Sequence, residues 1–157
     1  MTPAELQAAV ALFASAYAVT VGLLAGSFVN LAADRVPRGQ SLVRPRSHCR
    51  GCNRRLNAVD LIPVGGYFIR RGRCATCGVA IGAASPAVEG ACGGIMLVAV
   101  IGLGLWPGAA IGALGVAGFG LIVIVTAARR ARPAPRLRPA RPGSQSGRGS
   151  ARGRRAR

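Results

Sequence analysis

Lysine is absent from these 157 residues, histidine occurs once, and four acidic side chains stand against 21 basic ones, all arginine. Aromatic residues make up only 4% of the chain, and none follows residue 128, so the basic C-terminal stretch has no stacking platform for nucleic acid. No specific nucleic-acid partner is expected. No glycine loop sits between a strand and a helix of a βαβ unit, which removes the usual cradle for a nucleotide-like cofactor. The same lack of an alternating βαβ pattern argues against a thioredoxin-like role for the cysteine pairs. No basic stretch precedes the first apolar run, which is also longer than a signal peptide's apolar region and continues into Ser27 and Asn30, so it reads as a retained span.

Charge is all but missing from three long segments. About Leu6 to Ala33 carries none, Pro86 to Leu105 carries only Glu89, and Ala109 to Ala128 carries none. Each reaches the ~20 residues that a helix needs to cross ~30 Å of hydrocarbon. Ten arginines lie between Arg35 and Arg73 and eleven from Arg129 onward. Arginine-rich loops stay on the cytoplasmic side. Three spans put the loop and the tail on one face, with the N-terminus and a Trp106-Pro107-Gly108 turn opposite. The fold class expected is therefore an all-α membrane protein of about three transmembrane helices, with a small cytoplasmic zinc-knuckle insertion and a disordered Arg/Pro-rich tail. The divisions are a first span at 6–33, a four-cysteine loop at 34–85, two spans within 86–128, and a tail at 129–157 too poor in apolar residues to fold. The basic segments point to anionic membrane lipid as a contact.

Glycines four apart, at Gly22 and Gly26, Gly90 and Gly94, and Gly108 and Gly112, give each span a strip where another backbone can approach. Glu89, near a membrane boundary, should face the bundle or the interface, as a functional residue or as a helix-start group. Cys92, one turn deeper, reads as a buried, inert thiol.

The strongest local signal is a pair of Cys-x-x-Cys motifs, Cys49 with Cys52 and Cys74 with Cys77, separated by 21 residues. Four thiolates in a tetrahedron suit a closed, structural zinc site. Asn53 and Gly78 follow the second cysteine of each pair, and both types tolerate the left-handed backbone that curls a knuckle's amides toward sulfur. Two disulfides are the competing reading, disfavoured in a reducing cytoplasm. His48 is a neighbour for a variant site, although four cysteines already complete the shell. Between the knuckles, Leu61-Ile62-Pro63-Val64 and Tyr67-Phe68-Ile69 form a modest apolar patch that can sit on the zinc module or on the membrane.

Read outward from the knuckles, the chain carries GSFVN from Gly26, RVPRG from Arg35, SHCRGC from Ser47, DLIPV from Asp60, RGRCATCG from Arg71 and SPAVE from Ser85. In this order the stretch from about Gly22 to Gly94 resembles the N-terminal part of bacterial type IV prepilin peptidases, integral-membrane aspartic peptidases. The resemblance implies a bacterial inner-membrane location and a cytoplasmic zinc module with Cys49, Cys52, Cys74 and Cys77 as metal ligands. It also implies a role in processing type IV prepilins or pseudopilins for pili or secretion, and in many members N-methylation with S-adenosylmethionine. Gly26, Ser27, Asn30, Asp60, Pro63 and Glu89 match motif positions.

Departures at Gln40, Val59, Ala84 and Ser85 weaken the methyltransferase inference. An aspartic peptidase needs two aspartates, one to activate water and one to donate a proton. Asp34 and Asp60 are the two present, both in the loop and neither in a Gly-x-Gly-Asp setting, and the resemblance aligns Thr126 with the first catalytic aspartate. No catalytic residue is therefore assigned. The expectation is a truncated, frameshifted or split family member that depends on a separate peptidase half. The alternative is a non-enzymatic membrane adaptor with a structural zinc site.

Overall fold

The computed structural model describes residues 1–131; the tail expected to be disordered lies, from residue 132 on, outside the described residues. Helix α1 (Pro3–Arg35) begins on a capping box in which the Glu5 amide donates to Thr2 Oγ1 at 3.2 Å and the Thr2 amide donates back to Glu5 Oε2 at 2.6 Å. It ends where Pro37, lacking an N–H, closes a 3-10 turn over Val36–Arg38, and Gly39 takes a left-handed φ of 63°. The loop that follows holds a 3-10 turn at Val59–Leu61 and the short helix α2 (Gly65–Ile69). Helices α3 (Ala84–Leu103) and α4 (Leu105–Ala131) complete the fold. The described residues contain no strand longer than an isolated bridge.

The three long helices have 33, 20 and 27 residues. At 1.5 Å per residue each matches or exceeds the ~30 Å hydrocarbon core. Their apolar side chains point outward: Phe13 is 75% exposed, Val98 72% and Leu114 74%. Such a surface fits lipid rather than water. Trp106 stands out at the α3–α4 end, the level at which membrane proteins place indoles.

Helix α3 is the middle element, packing against both α1 and α4, which also touch each other. Small residues set the distance. A Cβ at Gly22 would lie 2.6 Å from the Cys92 carbonyl oxygen, and one at Gly26 would lie 2.6 Å from Glu89 Cα. Gly108 and Gly112 bring α4 equally close to α3, next to Val100 and Met96. Gly90 and Gly94 face open space instead, and it is Gly93, against Leu23, that α3 presents to α1. The reason is helical phase: Gly93 lies on the face shared with buried Glu89, Cys92, Met96 and Val100. Cys92 is fully buried at the centre of this core.

The α3–α4 turn falls at Gly104, with φ 82°, rather than at Trp106-Pro107-Gly108. Pro107 is accommodated inside the first turn of α4, where its missing N–H costs nothing.

Candidate metal centre

The two Cys-x-x-Cys motifs fold into matching knuckles offset by 25 residues. In the first, the Cys49 amide donates to the Arg54 carbonyl at 2.8 Å, the Asn53 amide to Cys49 at 2.9 Å and the Leu56 amide to Ser47 at 3.0 Å. In the second, Cys74 donates to Val79 at 2.9 Å, Gly78 to Cys74 at 3.0 Å and Ile81 to Gly72 at 2.7 Å. Isolated bridges pair His48 with Arg55 and Arg73 with Ala80 at the corresponding places. The left-handed positions expected from sequence are realised, with Asn53 at φ 60° and Gly78 at φ 68°. Each knuckle thereby turns its amides toward sulfur.

The knuckles face each other, and all four sulfurs lie within 4.8 Å of one another. Cys49 Sγ is 3.8 Å from Cys77 Sγ, and Cys52 Sγ is 3.9 Å from Cys74 Sγ. Sulfurs bonded at ~2.3 Å to one tetrahedral ion stand about 3.8 Å apart, so the spacing fits a shared metal. None of the cysteines is in a disulfide. Cys49 and Cys74 are buried, whereas Cys52 and Cys77 are exposed.

Backbone amides of Cys77 and Thr76 hold the Cys74 thiol down at about 6, and those of Cys52 and Gly51 lower Cys49. The Val79 amide also draws on Cys77, but burial and the neighbouring thiols outweigh it and push this thiol up to about 11. Sulfurs so close together resist ionising as a group, and a cation removes that penalty. His48 lies outside the cluster, its ring Nδ1 3.2 Å from the Arg46 carbonyl.

A second cluster braces the loop. Asp60 accepts from Arg70 Nε at 2.7 Å, from Arg54 Nη2 at 2.8 Å and from the Asn57 amide at 3.0 Å. Burial pulls its carboxyl up, but the Asn57 amide and the two guanidinium groups outweigh burial and hold it below the ordinary aspartate range. Arg54 is raised in turn, first by Asp60 and then by the Cys74 sulfur, so this brace runs to the edge of the thiol cluster. A depressed carboxyl stabilises the fold above its unfolded pKa of about 3.9, and that contribution is lost as pH falls through the lower folded value. Asp60→Asn is expected to lower the opening free energy of the loop at pH 7 by about 2–3 kcal/mol. Amide exchange across 54–70 measures it, and unchanged protection there would refute it.

The apolar patch between the knuckles is largely open to its surroundings. Leu61, Ile62, Phe68 and Ile69 stay exposed. At its edge Val64 adopts φ 59° and ψ −52°, and the Gly65 amide reaches the Pro63 carbonyl at 2.5 Å. This is a strained γ-turn, rare for a β-branched residue. Its amide donates to Glu89 Oε2 at 2.6 Å, while Ser27 Oγ donates to Glu89 Oε1 at 2.8 Å. Nearby, Asn30 Nδ2 donates to the Ser85 carbonyl at 3.0 Å. Gly26, Ser27, Asn30, Pro63 and Glu89 thus converge where α1, α3 and the loop meet. The roles of Arg54, Arg70 and Ser85 as partners are not written in any motif; the shortage of acids among the ten arginines from Arg35 to Arg73 is the sequence signal that Asp60 must serve several at once.

The bacterial peptidase A24 N-terminal domain matches residues 20–103. Among curated proteins, the prepilin leader peptidase/N-methyltransferase of Myxococcus xanthus (strain DK1622) is 45% identical over 69 residues, covering 44% of this chain and 21% of that protein. That of Bacillus subtilis (strain 168) is 40% identical over 68 residues, 43% of this chain and 27% of the relative. That of Burkholderia pseudomallei (strain K96243) is 33% identical over 125 residues, 64% of this chain and 40% of the relative. The chain thus spans between about one fifth and two fifths of the length of these relatives. No solved structure matches it. Residues 20–103, over half of the chain, include both knuckles, the α1–α3 contact and the Glu89 junction, and with them the protein belongs to the family of bacterial peptidase A24 N-terminal domains.

Proposed function

We propose that these 157 residues form the membrane-anchored, zinc-stabilised N-terminal module of a prepilin-processing system, with Cys49, Cys52, Cys74 and Cys77 holding one zinc ion on the cytoplasmic side. The observation that carries the reading is the family match over residues 20–103. Zinc is favoured because four sulfur donors at tetrahedral spacing suit a closed structural site. The cytoplasmic side is favoured by the ten arginines between Arg35 and Arg73.

The module positions; it does not cut. Asp60 is committed to Arg54 and Arg70, and Asp34 pairs with Arg38 and Arg50. A peptidase dyad needs two carboxyls sharing one site. The aspartates that cleave a prepilin leader therefore come from polypeptide other than these 157 residues.

A chimera tests this reading. Residues 20–103 replace the matching region of the Bacillus subtilis relative, and prepilin cleavage is followed by the mass of the product. The chimera is expected to cleave, and residues 1–157 alone are expected to leave the prepilin intact. Cleavage by 1–157 alone, or a membrane-inserted, metal-loaded chimera that leaves the prepilin uncut, would overturn the reading.

A further inference from the structure

A cavity of about 550 Å³ opens where the loop leaves α1, with Leu31 of the helix on its wall and Arg35, Arg38, Arg44 and Arg50 around it. Its one carboxyl is Asp34, so four guanidinium groups against one acid leave a net charge of +3. The four arginines do different work. Arg35, only 6% exposed, donates Nη1 to the Ser41 carbonyl at 2.7 Å and Nη2 to the Pro45 carbonyl at 2.6 Å, which folds residues 41–45 back over the end of the helix. Arg38 and Arg50 converge on a single oxygen, Asp34 Oδ1, so this acid aligns both forks without neutralising both charges. Arg44 makes no ion pair among the described residues. Ser41 Oγ accepts from the Val43 and Arg44 amides at 3.2 and 3.3 Å, so its hydroxyl proton is available to a ligand.

A cavity lined by guanidinium forks and a hydroxyl donor is chemically matched to a phosphate oxyanion. Its place decides the source. It adjoins the last turns of a helix long enough to span a bilayer, and Leu31 links its wall to the apolar surface of that helix. We propose that this cavity binds the phosphodiester headgroup of an anionic phospholipid from the leaflet on the loop's side, one lipid per chain, seated by Arg38, Arg44 and Arg50. The cavity is separate from the four-cysteine cluster and needs no peptidase activity, although Arg50 is carried by the first knuckle and is placed by it. It also differs from the diffuse attraction that any arginine-rich segment exerts on an acidic membrane, because Asp34 already holds the Arg38 and Arg50 forks together while Arg44 has no ion pair to break.

Native mass spectrometry of the full chain in neutral detergent, titrated with short-chain phosphatidylglycerol or phosphatidylcholine, tests the proposal. One saturable phosphatidylglycerol adduct per chain is expected, with phosphatidylcholine bound more weakly. Arg44→Gln should weaken the adduct about fivefold, and Arg38→Gln combined with Arg44→Gln at least about tenfold. The charge-matched tail pair Arg154→Gln and Arg155→Gln should change it less than about twofold. Arg44→Gln removes a side chain with no ion pair, so its effect is readable even if the double variant is less stable. Equal weakening by the cavity and tail pairs, or adducts that never saturate, would show diffuse electrostatics and overturn the proposal. Displacement of the lipid by millimolar inorganic phosphate would overturn it in favour of a soluble anion.

Discussion

Stripping zinc from the detergent-solubilised protein is expected to unfold residues 47–81 while the three long helices persist. Within 36–83 the only buried residues are Cys49, Gly66, Gly72 and Cys74, two sulfurs and two glycines, so the loop has no hydrophobic core of its own. About 30 residues without a core cannot offset the entropy of ordering them. A structural zinc ion supplies roughly 10–16 kcal/mol in comparable small modules, more than the Asp60 brace or the knuckle hydrogen bonds can provide. Elemental analysis should return one zinc per chain, and chelation should abolish amide protection at Cys49, Asn53, Cys74 and Gly78. Cys74→Ser should do the same without chelator, because it removes the sulfur with the most favourable ionisation. Zinc coordination requires thiolates, so acid would compete with it, and zinc affinity should fall steadily as pH falls. Absence of stoichiometric zinc, or full protection of the loop after chelation, would refute the coordination.

The spans and the cysteine quartet were legible in the sequence because each is written locally. A charge-free run of ~20 residues constrains the backbone by itself, and Cys-x-x-Cys followed by Asn53 or Gly78 specifies one turn of chain. Glycine spacing was a weaker guide. The four-residue interval holds for Gly22 with Gly26 and for Gly108 with Gly112, yet Gly90 and Gly94 obey it and face outward. Interval fixes a face of the helix but not which face meets a neighbour, and that is decided by the packed row of Glu89, Cys92, Met96 and Val100. The arginine cavity and the Asp60 brace were out of reach for a related reason. The brace joins side chains from different turns of the loop and the cavity joins the end of α1 to the loop, and in both the partners follow only from how the chain folds back.

Glu89→Ala is expected to detach the loop from the helices without emptying the metal site. The Glu89 carboxyl receives the Val64 amide on one oxygen and Ser27 Oγ on the other, so it is the single side chain that ties α1, α3 and the loop together. The Val64 γ-turn stores about 1–3 kcal/mol of backbone strain and persists only while its surroundings hold it. With alanine at 89 the turn has no acceptor to hold its amide and relaxes toward an ordinary conformation. Losing both acceptors should lower the local opening free energy by about 2–4 kcal/mol, seen as faster exchange and proteolysis across 61–70 with zinc still bound. Glu89→Gln keeps an oxygen for the Val64 amide and offers an N–H to Ser27 Oγ, so it should retain most of the protection. Gly26→Val should reproduce the alanine phenotype from the opposite helix. A Cβ at position 26 would stand 2.6 Å from Glu89 Cα, so the helices must separate at the level where Ser27 reaches the carboxyl. A membrane helix pair this close depends on the absence of a side chain. If Gly26→Val loosens the helices yet leaves exchange at 61–70 unchanged, the loop is held by its own contacts and Glu89 is not the tie.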